Sequence, residues 1–360
     1  MIEEDKIQEN RNRRFKSRKK SSNMLEDKKK RFKWGSVFLY TLFTLVFTVV
    51  SAPFILLYGP FENAKKTFVG TAIGSMHYQW LATMFLSQDK IDEILGNNVI
   101  EEESIEENEE QDSSFIEIPK RKDNTIELQE ISDENEKFKG YVLIIKDPTR
   151  VKIGVSSKLG QEGETVSQIA ERYDAVAAIN GGYFTDEVGT EKWTSNGGIP
   201  IGFLMSEGTI KQNVDPNDRQ PILAITKEGR LLVGETTTAE LLGNKENDKD
   251  VVVEAMTYEV TLIKKGKLCD VRNEGTAPRT LIGQKEDGSI VMVVLDSVLP
   301  GNRICATLSE AQKLMSDLGC YNAVNLDGGK STTMYLNGEV INTPSYVLGE
   351  RQISAGFIVK

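Results

Sequence analysis

The chain has 360 residues, 27% of them charged and 39% hydrophobic, and its formal net charge is −10. That length holds one good-sized domain plus extra segments. An acidic bulk argues against general nucleic-acid binding, which draws on phosphate neutralisation by Lys and Arg.

The charge is unevenly spread. Residues 1–33 carry thirteen Lys/Arg and six Asp/Glu, a local balance of +7, which leaves −17 for the rest. This segment reads as a basic cytoplasmic tail. Residues 34–61 contain no charge and include VFLYTLFTLVFTVVSAPFILLYG. That exceeds the roughly 20 apolar residues needed to cross a bilayer and the about 7–15 of a cleaved signal core. Trp34 and Tyr58 sit near its ends, where amphipathic rings favour the headgroup zone. The segment reads as one transmembrane anchor. The positive-inside rule then puts the N-terminus in the cytoplasm and the remainder outside.

Residues 62–100 read as a juxtamembrane helical region. The charge-free stretch 67–88 is diluted by Gly, Ser, Thr, Gln and the lone histidine, His77. It reads as a helix on or near the membrane rather than a second span, because polar groups are costly in hydrocarbon. Residues 101–136 hold fifteen Asp/Glu and three basic residues. The segment 101–137 therefore reads as an acidic disordered spacer.

From residue 138 the pattern becomes globular. Residues 141–146 (YVLIIK) and 151–155 read as strands around an Asp147-Pro148 turn. Thr165 and Gln168 have capping-box spacing and open a short helix. Residues 174–179 (DAVAAI) read as a buried strand that runs into Asn180-Gly181-Gly182-Tyr183-Phe184. Residues 288–295 form another strand, ending at Asp296. Thr307 and Glu310 make a second capping box. Leu308, Ala311, Leu314, Met315 and Leu318 then mark one helical face, and Gly319 stops it. A strand over 321–326 ends at Asp327-Gly328-Gly329, Asn337-Gly338 signals a hairpin, and 354–359 is the last strand. The expected class is α+β: a mixed sheet with a βαβ unit near the C-terminus. In such a unit Asp296 and Asp327 both leave the carboxyl edge of one sheet, the usual ligand edge.

The single histidine excludes Ser-His-Asp and Cys-His catalysis and His-ligated zinc from everything beyond residue 137. Cys269, Cys305 and Cys320 show no CxxC spacing and read as unpaired thiols. Chemistry must then come from carboxylates, Lys, Tyr, Arg or an oxygen-ligated ion. Asp327 beside two glycines suits sugar hydroxyls, a cation or acid–base work, although Asp-Gly is also a common turn. Asn180, Gly181, Gly182 and Phe184 form a second such corner. Arg279 and Arg351 have the planar fork that suits phosphate or carboxylate.

In order, NGGYF, PRT, VVLDS, AVNLDGGKSTTM, INTPS and GERQIS resemble the phosphodiester glycosidase family over residues 138–360. The resemblance implies hydrolysis of a sugar C1–O bond whose leaving group is a phosphate ester, with a glycan phosphodiester as substrate and no required cofactor. On two-carboxylate logic the catalytic candidates are Asp296 and Asp327, with Glu350 in reserve. The binding candidates are Asn180, Gly181, Gly182, Phe184, Arg279, Gly328, Gly329, Ser331, Thr332 and Arg351. Asp296 and Asp327 are also hard oxygen donors of the kind calcium accepts, without EF-hand spacing. Lys330 stands where the family usually has a third glycine. Two rival readings are a non-catalytic glycan- or polyphosphate-binding surface module and a glycosyl transferase on the same substrates.

Overall fold

The computed structural model describes residues 9, 11–14, 16, 34–73, 80–95, 118, 123–133, 137–185, 196–243, 251–271, 275–298, 305–346 and 348–360. The chain divides into two compact units, Met1–Phe61 and Glu62–Lys360. In the first, Trp34–Tyr58 is one helix, and its segment Val37–Tyr58 is long and apolar enough to cross a membrane, with a mean hydropathy of 2.0. Thr41, Thr44, Thr48 and Ser51 return their hydroxyls to the carbonyl four residues earlier, which satisfies them inside the helix.

The second unit opens with short helices, Glu62–Ile73, Trp80–Thr83 and Gln88–Leu95. The intervening stretch with His77 lies outside the described residues, as do most of the basic tail and much of the acidic spacer. The spacer reading fails at its end. Ile126–Ser132 is a strand, paired antiparallel with Phe138–Ile145 from Ile126↔Ile145 to Ser132↔Lys139. An edge strand needs only one paired side and a few apolar anchors. Here Ile126 and Ile131 pack against the two halves of the core while the glutamates face water.

A seven-stranded sheet dominates. Its order is Ile126–Ser132, Phe138–Ile145, Ile290–Ser297, Arg279–Lys285, Cys320–Asn325, Val260–Lys264 and Lys267–Leu268. A five-stranded sheet holds Ala177–Asn180 and Ala355–Val359 at its centre, and a third sheet is built around Gln220–Thr226 and Val252–Thr257. The principal core lies among these three, with Leu143, Ile179, Leu223, Met292, Val324 and Phe357 all fully buried or nearly so.

The expected βαβ unit needs correction. Strands 290–297 and 320–325 flank helix Leu308–Asp317 in sequence, yet they do not pair. Arg279–Lys285 lies between them, antiparallel to both. The two outer strands therefore run in the same direction, one strand apart. Every pairing among the described strands is antiparallel, so the sheets are not mixed in the expected sense. The inserted strand is itself buried along its length (RTLIGQK), which suits a central position. Both capping boxes, at Thr165 and Thr307, are formed. All three cysteines are unpaired.

Candidate active site at the glycine corners

Four chain corners converge at one edge of the sheets. The Asn180-Gly181-Gly182 corner follows strand 177–180, and the Asp327-Gly328-Gly329 corner follows strand 320–325. Pro278-Arg279-Thr280 enters strand 279–285, and Tyr258-Glu259 links strands 252–257 and 260–264. Backbone and amide bonds lock them together. Asp327 N–H donates to Gly181 O at 3.1 Å, Leu326 N–H to Thr280 O at 2.8 Å, and Gly329 N–H to Pro278 O at 2.8 Å.

Asn180 is the clasp. Its Nδ2 donates to Asp327 O at 2.6 Å, and its Oδ1 accepts from Thr280 Oγ1 at 2.7 Å and Thr333 N–H at 3.1 Å. It is fully buried, so it organises the corner from behind rather than facing a ligand. The glycines permit close approach. A Cβ on Gly181 would stand 2.8 Å from Ala355 O, on Gly182 2.8 Å from Thr257 O, and on Gly328 2.5 Å from Pro278 O. Gly329 differs: its φ is +60° and a Cβ there would meet nothing within 4 Å, so it borders open space.

Asp327 is partly exposed at this corner. Burial of its carboxyl pushes its pKa up to about 7; the Ser331 hydroxyl and Arg351 act to lower it, and Glu259 to raise it. The Ser331 oxygen lies near the carboxylate without the geometry of a full hydrogen bond. Arg351 stacks its guanidinium 4.7 Å over the Phe184 ring. Phe184 is buried, so it serves as a shelf for Arg351 instead of a sugar platform. Arg279 is buried as well and donates to Ala306 O and Gly275 O.

Other expected site residues stand elsewhere. Asp296 is only 2% exposed, and both its oxygens accept protein donors: Oδ1 from Asn342 Nδ2 at 3.0 Å and Oδ2 from Thr343 N–H at 2.8 Å. Burial raises its pKa while those two bonds lower it. Asn342 also donates to Thr332 O, so Asp296 reaches the glycine corner through one amide. Glu350 accepts from Ser167 N–H at 2.9 Å and Ser167 Oγ at 2.5 Å. It is thereby held at the positive N-terminus of helix Val166–Arg172. Ser331 and Thr332 are buried and face no solvent. Lys330 is exposed, with Nζ 6.0 Å from the Tyr346 ring centre.

Two residues of the corner were not among the expected set. Tyr183 donates its hydroxyl to Glu259 Oε2. Burial, then the neighbouring carboxylates Glu259 and Asp327, push the Tyr183 pKa well above its usual value, so it remains a proton donor. Glu259 is exposed. The available signal was a lone acid in the two-residue link between the apolar runs 252–257 and 260–264.

The profile of the phosphodiester glycosidase family matches residues 173–360, just over half of the chain. The chain belongs to that family. The match takes in all four corners. The sheets it shares extend further forward, since strands 126–132, 138–145 and 151–155 precede it. Among curated proteins, the chain is 27% identical over 211 residues to YomE, an uncharacterized SPbeta prophage-derived protein of Bacillus subtilis. That alignment covers 55% of this chain and 29% of YomE. It is 26% identical over 200 residues to human N-acetylglucosamine-1-phosphodiester alpha-N-acetylglucosaminidase, covering 50% and 36%. The chain thus spans about a third of the length of the curated relatives it matches. Among solved structures, the zebrafish N-acetylglucosamine-1-phosphodiester alpha-N-acetylglucosaminidase catalytic domain, auto-inhibited by its pro-peptide, has the same fold. Its TM-score is 0.53 at 22% identity, covering 68% of this chain and 86% of that one. A hypothetical protein from Synechocystis gives a TM-score of 0.50 at 15% identity, covering 65% and 62%.

Proposed function

We propose that the protein is a membrane-anchored, extracytoplasmic phosphodiester glycosidase. It hydrolyses the sugar C1–O bond of a glycosyl-1-phosphodiester in cell-surface or exopolysaccharide glycans. The observation that carries this reading is Asp327: a half-buried residue on a glycine corner, with a carboxyl pKa raised by burial to about 7 and with Arg351 acting on it. Such a group keeps a proton near neutral pH and can give it up, which is the acid half of glycoside hydrolysis.

A phosphate ester leaves as an anion more readily than a sugar alcohol does. Stabilising its charge therefore matters more than full protonation, and Arg351 suits that task. Arg279 supports the corner from its buried position. Gly329 gives a substrate close access to the backbone beside Asp327. Asp296 fastens segment 342–343, and through it Thr332, so we assign it to positioning. Glu350 fixes helix 166–172 and thereby the start of the Arg351 segment. The apolar helix 34–58 and the basic residues before it support an anchor with the tail in the cytoplasm.

The test uses the full-length chain in detergent, incubated with an N-acetylglucosamine-1-phosphodiester. Free sugar and phosphomonoester are followed by mass, beside Asp327→Asn. Release that disappears in the variant supports the reading. Saturable binding of an intact diester without release overturns it in favour of a binding module.

A further inference from the structure

Glycoside hydrolysis ordinarily employs two carboxylates. The two other candidates at this end of the molecule are committed: Asp296 to Asn342 and Thr343, Glu350 to Ser167. Strand pairing brings a different acid to Asp327. Val260 pairs with Asn325 in the antiparallel register of strands 260–264 and 320–325. Continuing that register by one step sets Glu259 opposite Leu326, immediately before Asp327. The neighbouring corner closes the arrangement from the other side, because Gly182 packs on Thr257 O and Tyr183 donates to Glu259. Glu259 is exposed, so water and substrate reach it.

We propose that Glu259, positioned by the Tyr183 hydroxyl, is the base that works opposite Asp327. The proposal rests on the phosphodiester glycosidase reading and adds its second catalytic carboxylate. Glu259 removes a proton from a water whose oxygen bonds to the sugar C1. The C1–O bond to phosphate breaks, its electron pair leaves on the phosphate oxygen, and Asp327 protonates that oxygen. The products are the free sugar and a phosphomonoester. Solvent then returns the proton to Asp327 and takes one from Glu259. Tyr183 is a positioning residue. Its donated hydrogen bond holds one carboxylate oxygen and leaves the other to face water.

The experiment uses the full-length chain in detergent with the same diester. Glu259→Gln is expected to lower kcat by about 10²–10⁴-fold, with little change in KM and an unchanged melting temperature, since the side chain is exposed. A small anionic nucleophile needs no base. Glu259→Ala in azide should therefore regain turnover and form the glycosyl azide, identified by mass. Tyr183→Phe should cost less than Glu259→Gln, and the double variant no more than Glu259→Gln alone. A Glu259→Gln protein at the wild-type rate overturns the assignment, and so does a dead Glu259→Ala that makes no glycosyl azide. Wild-type protein that releases no sugar sinks both the base and the glycosidase reading, whereas an active wild type with an active Glu259→Gln sinks only the base.

Discussion

Asp296 and Asp327 stand at the ends of two strands that run in the same direction, one strand apart, and each follows a run of buried residues. Their surroundings make them different groups. Asp296 sits within its strand, shut away, with an amide or backbone donor on each oxygen. Asp327 lies two residues past its strand, on a corner that two other segments clasp through backbone atoms, and the residue is left partly exposed. Burial raises the pKa of both; Thr343, Asn342 and Lys139 act to lower that of Asp296, and Ser331, Arg351 and Gly328 that of Asp327, which burial still carries up to about 7. A carboxylate that completes its bonding within the protein holds structure together. One that is raised and partly exposed is available for proton transfer.

Removing the charge from each aspartate separates the two roles most sharply. Asp327→Asn should fold like the wild type and lose about 10²–10⁴-fold in kcat, the range of a lost general acid. The wild-type rate should fall as pH rises through about 7, where Asp327 loses its proton. A rate that stays flat from pH 6 to 8 would remove Asp327 from the acid role. Asp296→Ala should show the opposite pattern. It leaves the Asn342 amide and Thr343 N–H without their acceptor in a buried setting, which costs about 1–3 kcal/mol of stability by denaturant titration. Its activity should decline only as far as the 342–343 segment loosens. An Asp296→Ala protein of wild-type stability and no activity would reverse the comparison.

The difference between the aspartates was only partly written in the sequence. Alternating apolar runs and capping boxes located fewer than half of the described strands and two of the three box-capped helices, because those signals are local. The glycine corners were legible for the same reason: Asn180-Gly181-Gly182 and Asp327-Gly328-Gly329 announce tight turns wherever they fall. Strand order was not legible. Nothing local in RTLIGQK says that it inserts between strands 290–297 and 320–325, and a strand–helix–strand reading therefore paired them directly. The partners of the carboxylates depend on that order. Glu350 meets Ser167 across 183 residues and Asp296 meets Asn342 across 46, distances at which spacing carries no information. Glu259 escaped notice because its only local mark is a charge between two strands. The strand 126–132 was hidden by its glutamates, which an edge position tolerates on the solvent side.

The two glycines after Asp327 offer a finer contrast within the corner itself. Gly328 is required by space: an added Cβ would lie 2.5 Å from Pro278 O, and the backbone that carries the adjoining Gly329–Pro278 hydrogen bond would have to move. Gly328→Ala should cost about 1–3 kcal/mol and disturb the rate, since Asp327 moves with it. Gly329 is required by conformation alone, at φ +60° with open space around it. Gly329→Ala should cost about 1–2 kcal/mol and leave the rest of the corner in place. Equal losses of rate in the two alanine variants would mean that the open side of the corner matters as much as its packing.

Another buried acid, on the strand that leads into Tyr258-Glu259, sharpens the rule by inverting it. Glu254 is fully buried, and burial pushes its pKa up to about 7. Its Oε2 accepts from Ile153 N–H at 3.0 Å and Glu207 N–H at 3.2 Å, while Oε1 has no hydrogen-bond partner and lies 3.9 Å from Lys152 Nζ. Between the ordinary glutamate value and about pH 7 the folded chain holds a proton that the unfolded chain has released. Stability therefore falls as pH rises through that window. Lys152 offsets part of the loss, and the Glu207 carboxylate adds to it. Glu254→Gln keeps an oxygen for the two N–H donors and abolishes the titration. Its stability should be close to the wild type near pH 5 and exceed it by about 2–3 kcal/mol at about pH 8, read from denaturant midpoints at the two pH values. A variant that keeps the wild-type slope would show that Glu254 stays ionised in the fold. Lys152 would then be compensating a buried charge, and burial alone would no longer distinguish the acids that hold this structure from the one proposed to act on substrate.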